Sequence, residues 1–139
     1  MSLELIVVTP QGEAFAETVQ HVVLPGSEGD FGVLEAHEKF LTALKAGAME
    51  IGLPDGSSEW AAISDGFVEV TASQVVVLVD ECFKAHEIDL EHAQHTQAEA
   101  ERELSELMES IESEDRRAEI ESTLVRSSAM IEAHRRHQG

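Results

Sequence analysis

The chain has 139 residues, enough for one compact domain or a small domain with an appendage. It carries 28 acidic against 9 basic residues, a net charge of −19. That balance excludes nucleic-acid binding and direct attachment to an anionic membrane surface, because both need Lys and Arg to displace phosphate counterions. A protein partner is the expectation.

The first part reads as strands and turns. Apolar, β-branched runs at 3–9, 19–24, 31–34, 48–51, 60–63, 67–71 and 74–79 are the expected strands. Pro10-Gln11-Gly12, Pro25-Gly26 and Pro54-Asp55-Gly56 interrupt them, and Asp65-Gly66 predicts a hairpin turn. Short strands at this spacing predict a sandwich or barrel. The stretch from Pro25 to Gly32 is Gly-rich, yet no Lys-Ser or Lys-Thr follows it and it carries Glu28 and Asp30. An exposed loop between strands fits it better than a phosphate cradle, which needs converging N–H groups and positive charge. The one cysteine, Cys82, cannot form an internal disulfide, which fits a reducing compartment.

After about Glu87 the composition changes. Gly and Pro vanish until Gly139, and good helix formers dominate. Ala93, Ala100, Leu104, Leu107, Met108 and Ile111 fall on one helical stripe, and Ile120, Leu124 and Ile131 on a second. Ser110 or Ser113 suits the cap of the second helix, and Arg135 and Arg136 its C-terminus. The predicted fold class is α+β: a β-domain, sandwich or barrel, over 1–86, followed by a two-helix antiparallel hairpin over 87–139. Both stripes are narrow and rich in Ala, so the hairpin buries little area and should be held weakly.

Chemistry is scarce. Carboxylates are too plentiful for any pair to stand out as an acid and a base. His92, His95 and Glu99 share a helix face, but no second cluster completes a metal site. No catalytic residue, metal or cofactor is expected. All six Arg lie at 102 or later, so the second helix holds most of the positive charge of a very acidic chain. Docking of that helix on an acidic surface is the functional reading of this asymmetry. The start Met1-Ser2-Leu3-Glu4 lacks the basic, apolar character of a signal peptide, and no stretch reaches the roughly 18 apolar residues of a membrane span.

Three stretches are similar to one family, the epsilon subunit of the F-type ATP synthase. They are Leu24-Pro25-Gly26-Ser27-Glu28-Gly29-Asp30-Phe31-Gly32-Val33-Leu34 with His37 beyond, Ser64-Asp65-Gly66-Phe67-Val68-Glu69-Val70, and Glu87-Ile88-Asp89-Leu90-Glu91-His92-Ala93. The resemblance implies an antiparallel β-sandwich followed by a two-helix antiparallel hairpin, in a non-catalytic rotor subunit at the foot of the central stalk. The implied partners are the gamma subunit, the c ring and the alpha/beta catalytic head. It places the chain peripherally at the cytoplasmic face of a bacterial inner membrane, touching the membrane only through the c ring. It puts Gly26, Ser27, Glu28, Gly29, Asp30, Phe31 and His37 at the c-ring and gamma interface. It implies that the hairpin restrains ATP hydrolysis, with Arg116, Arg117 and Arg126 meeting the catalytic head. Ile88, Asp89 and Ala93 match a motif with which some members bind ATP, which makes a nucleotide-sensing regulator the alternative function. Where the family usually has Arg, this chain has His92, so the resemblance implies weak ATP binding at most. The family usually also has Pro-Gly, His, Ala-Pro after Leu34, where this chain has Glu35-Ala36, His37, Glu38-Lys39.

Overall fold

The computed structural model describes residues 3–34, 39–107 and 114–138. His37, Met108, Ile111 and the expected caps Ser110 and Ser113 lie outside that set. Ten strands come first: β1 (Leu3–Thr9), β2 (Gly12–Val19), β3 (His21–Gly26), β4 (Gly29–Leu34), β5 (Phe40–Leu44), β6 (Gly47–Gly52), β7 (Ser58–Ile63), β8 (Gly66–Val70), β9 (Gln74–Val79) and β10 (Cys82–Lys84). A short 3-10 turn (Ala85–Glu87) leads into α1 (Leu90–Leu107) and α2 (Glu114–Gln138).

The strands hydrogen-bond in the order β10-β7-β6-β3-β5-β8-β9-β1-β2, with β4 on β3. All pairs are antiparallel except β1 with β9, which run parallel. A single residue pair, Gly26 with Leu44, joins β3 to β5, and the sheet folds over there into two layers. Period-two alternation turns one face of each layer inward. Leu3, Leu5 and Val7 of β1 meet Val68, Val70, Val75 and Val77 of β8 and β9, and Val22, Leu24, Met49 and Ile51 from the other layer complete the buried core.

Two expectations need correction. Asp65-Gly66 does not turn a hairpin: β7 pairs with β6 and β10, whereas β8 pairs with β5 and β9, so the chain crosses between layers there. Gly66 is required for space instead, since a Cβ on it would lie 2.1 Å from the Leu78 carbonyl oxygen. The Gly-rich stretch is mostly strand rather than loop. β3 and β4 pair from His21–Leu34 to Gly26–Gly29, leaving Ser27 and Glu28 as the turn, and Gly29 takes a positive φ of 132°.

The second helix lies on β6 and β7, and α1 packs on α2. The seam between helix and sheet is thin: Ala62, Ile88, Ala129 and Ala133 are its buried members, edged by Ala48, Trp60, Phe83 and Met130.

Candidate functional site: three surfaces on one scaffold

The tip of the β3–β4 hairpin is the first surface. Gly26, Ser27, Glu28, Gly29, Asp30 and Phe31 line an open groove of about 600 Å³ with Phe40 and Thr42. Phe31 stacks edge-on against Phe40, ring centroids 5.8 Å apart. Gly26 has no room for a side chain, because a Cβ would meet the Phe31 ring at 2.8 Å. Six of the residues expected at the ring-facing interface therefore do come together; His37 is outside the described set.

The outer face of the β5-β8-β9-β1 layer is the second surface, and sequence reasoning missed it. Pairing aligns Ala43, Phe67, Leu78 and Val8 in one row across the strands, and Leu41, Glu69, Val76 and Ile6 in the next. Leu41, Phe67 and Leu78 are 65%, 54% and 42% exposed, so large apolar side chains from both rows face water in the isolated chain. The signal was present as apolar residues at both phases of β9, Val75-Val76-Val77-Leu78-Val79. A strand with one solvated face should alternate.

The helices supply the third surface. Arg116 and Arg126 line one groove between α1 and α2 with Thr96, Glu99 and Glu103. Arg117 does not line it and instead faces Glu121 at 3.9 Å. Arg116 pairs with Glu103 across the hairpin and with Glu119 at 3.0 Å. Those hydrogen bonds and charges, led by the Glu119 bond, raise its pKa further. Arg126 reaches out of the hairpin to Glu81, in the β9–β10 connection, at 2.9 Å. Arg136 sits over the Trp60 ring, 5.4 Å from its centroid, and pairs with Glu132.

Ile88, Asp89 and Ala93 open the hairpin. Ile88 is buried in the helix–sheet seam. The Asp89 carboxylate accepts from the His92 N–H at 3.1 Å, capping α1, and its carbonyl accepts from the Ala93 N–H at 3.0 Å. His95 pairs with Glu99 at 3.2 Å, and no group of three or more potential metal ligands occurs among the described residues. Burial pushes the Cys82 thiol up to about 12, despite the opposing pull of Lys84. Such a thiol is protonated and unreactive near neutral pH.

A further cluster closes the sandwich. Lys84 on β10 hydrogen-bonds Glu17 on β2, the opposite end of the strand order, and lies 3.3 Å from Glu59 on β7. Its ammonium also sits 4.5 Å from the centroid of Phe15. Burial works against the charged amine, but the Glu17 bond and the Glu17 and Glu59 charges outweigh it and raise its pKa. The buried Glu59 Oε2 makes no directed hydrogen bond, so its ion pair with Lys84 compensates its burial. No helix among the described residues is long and apolar enough to cross a membrane.

Comparison with known proteins agrees with this architecture. The family model for the ATP synthase delta/epsilon chain β-sandwich domain matches residues 2–85. An ATP synthase epsilon chain of Nitratidesulfovibrio vulgaris is 34% identical over 125 residues, covering 90% of this chain and 92% of that protein. One from Desulforamulus reducens is 39% identical over 101 residues, covering 73% and 76%. A chain in the cryo-EM structure of the Euglena gracilis mitochondrial ATP synthase superposes with a TM-score of 0.77 at 24% identity, covering 93% of this chain and 79% of that one. A chain of the Tetrahymena thermophila central stalk and c-ring structure gives 0.56 at 14% identity, covering 94% and 97%; these two likenesses concern the fold. With a family match over the whole sandwich and a relative aligned through most of the hairpin, the chain belongs to the ATP synthase delta/epsilon family, as an epsilon chain of the F-type enzyme.

Proposed function

We propose that this chain is a non-catalytic rotor subunit that couples the gamma subunit to the c ring and restrains ATP hydrolysis through its helices. The observation that carries the reading is the apolar outer face around Leu41, Phe67 and Leu78. Exposed large side chains aligned across three strands suit burial against another protein, and gamma is the partner assigned to this face. The β3–β4 tip, Gly26 to Phe31 with His37 beyond, is assigned to the c ring. Arg116, Arg117 and Arg126 are assigned to acidic residues of the catalytic head. The chain then works peripherally at the cytoplasmic face of the inner membrane. Residues 1–86 act as the coupling unit and 87–139 as the regulatory one.

A nucleotide-sensing role is less supported. The interhelical groove of about 620 Å³ offers Arg116 and Arg126, but Glu99, Glu103 and Glu119 share its walls and repel phosphates.

Co-purification from gently solubilised membranes tests the main reading, together with hydrolysis by the complex whose epsilon chain stops after Glu87. Recovery of gamma, the c ring and the catalytic head, with faster hydrolysis after truncation, is expected. Recovery of the chain alone would refute it.

A further inference from the structure

We infer that Glu81 is an internal stand-in for the acidic partner surface, so that docking of α2 on the sandwich and contact of α2 with that partner compete for Arg126. The inference rests on the reading above that α2 meets acidic residues of the catalytic head.

Arg116, Arg117 and Arg135 each face a carboxylate on the helices themselves: Glu119 and Glu103, Glu121, and Glu132. Arg126 differs, because its carboxylate belongs to the sandwich, 45 residues away in sequence. That carboxylate is held in place. The Ser64 hydroxyl oxygen accepts from the N–H groups of Asp80 and Glu81, at 3.0 and 2.9 Å. The Ser64 N–H donates in turn to the Glu81 carbonyl at 3.1 Å. The β9–β10 connection is thus tied to the end of β7, and Glu81 is presented to the passing helix on a fixed backbone. Preorganisation of this kind reduces the ordering cost of the contact.

The apolar seam beneath the contact is made mostly of Ala62, Ala129 and Ala133, whose small side chains bury little area. Against so thin a seam, one oriented ion pair is a material fraction of the docking free energy. When α2 leaves the sheet, Arg126 loses Glu81 and gains freedom to meet another carboxylate. The sandwich therefore offers a copy of the feature that a partner would offer, and the balance between them sets where the helix resides.

The test uses the full chain with Cys82→Ala and a label pair at Ala72 and Ser122, to read the ratio of undocked to docked helix. It is repeated in the assembled complex, with ATP hydrolysis as readout. Glu81→Gln and Arg126→Gln should each raise the undocked ratio about two- to five-fold, the range of an exposed pair, and the double variant no further. In the complex, Glu81→Gln should strengthen the restraint of hydrolysis and Arg126→Gln weaken it. Exchanging the charges, Glu81→Arg with Arg126→Glu, should restore docking but not restraint. Single effects on docking that simply add would overturn the inference. So would a charge-exchanged chain that restrains hydrolysis as fully as the parent, since one arginine would then not serve both contacts. If docking behaves as expected but truncation after Glu87 leaves hydrolysis unchanged, the latch stands and the restraining role is refuted.

Discussion

The Lys84 cluster gives the sharpest test of how the sandwich is held. Lys84→Met keeps the length and most of the stem while removing the ammonium. It strands Glu17 and Glu59, whose side chains are only 21% and 28% exposed, and removes the cation from the Phe15 ring. Breaking a fully buried pair costs about 3–5 kcal/mol, and an exposed one about 1 or less. Lys84 is 19% exposed, so the loss should lie between, and the cation–π contact adds about 0.5–1. A net loss of about 2 kcal/mol follows, which at a urea slope of about 2 kcal/mol/M moves the midpoint down by about 1 M. Urea unfolding followed by circular dichroism reads this directly, with the slope unchanged. A double-mutant cycle with Glu17→Gln should show coupling of about 1 kcal/mol. A midpoint within about 0.2 M of the parent, or no coupling, would refute the view that a side-chain bridge rather than backbone pairing closes the two ends of the strand order.

Three further outcomes are expected. Gly66→Ala should cost about 3 kcal/mol or more in thermal unfolding, because the atom the new Cβ meets first, at 2.1 Å, is the Leu78 carbonyl oxygen, which is backbone. Stability should fall as the solution is made alkaline. The Cys82 thiol is pushed from its ordinary 9.0 up to about 12, so its contribution is complete below about 9 and is lost at about 1.4 kcal/mol per pH unit above that. Lys84 adds a loss of the same sign at still higher pH, and Cys82→Ala should flatten the first part of the decline in a denaturation series from pH 8 to 11. Phe67→Lys should leave the unfolding midpoint nearly unchanged, since the ring is 54% exposed, yet weaken binding to gamma at least about ten-fold in titration calorimetry.

Strands with strong β-branched runs, such as Leu3–Thr9 and Gln74–Val79, were legible because their inward residues are uniformly apolar. β2 was not, because its inward phase is Phe15, Glu17 and Val19, and the carboxylate there answers a lysine that is 67 residues away. β10 was missed for the matching reason: Cys82-Phe83-Lys84 is too short to show a period, and its charge is satisfied only in three dimensions. The helices were legible as helices, while the expected Leu104 and Leu107 are only half-buried. In α2 the stripe was read too narrowly. Ile120 and Ile131 face α1, and Ala129 and Ala133 face the sheet, so burial spreads over two sides and blurs a single period. The grouping of Gly26 to Phe31 at one hairpin tip was legible through their run in the sequence. Glu81, by contrast, is one acid among 28, and only its fixed backbone distinguishes it.

The parallel pairing of β1 with β9 has a consequence for synthesis. Glu4 lies beside Gln74 and Val8 beside Leu78, so the first strand made must wait some seventy residues for its inner neighbour. Until then it has only β2 beside it, and one edge of an apolar ribbon is open. Such distant pairing is slow to form, and a growing chain keeps that edge exposed as it lengthens. The sandwich therefore cannot close until nearly all of it has been translated, and the acidic character of the chain keeps neighbouring nascent copies apart in the interval.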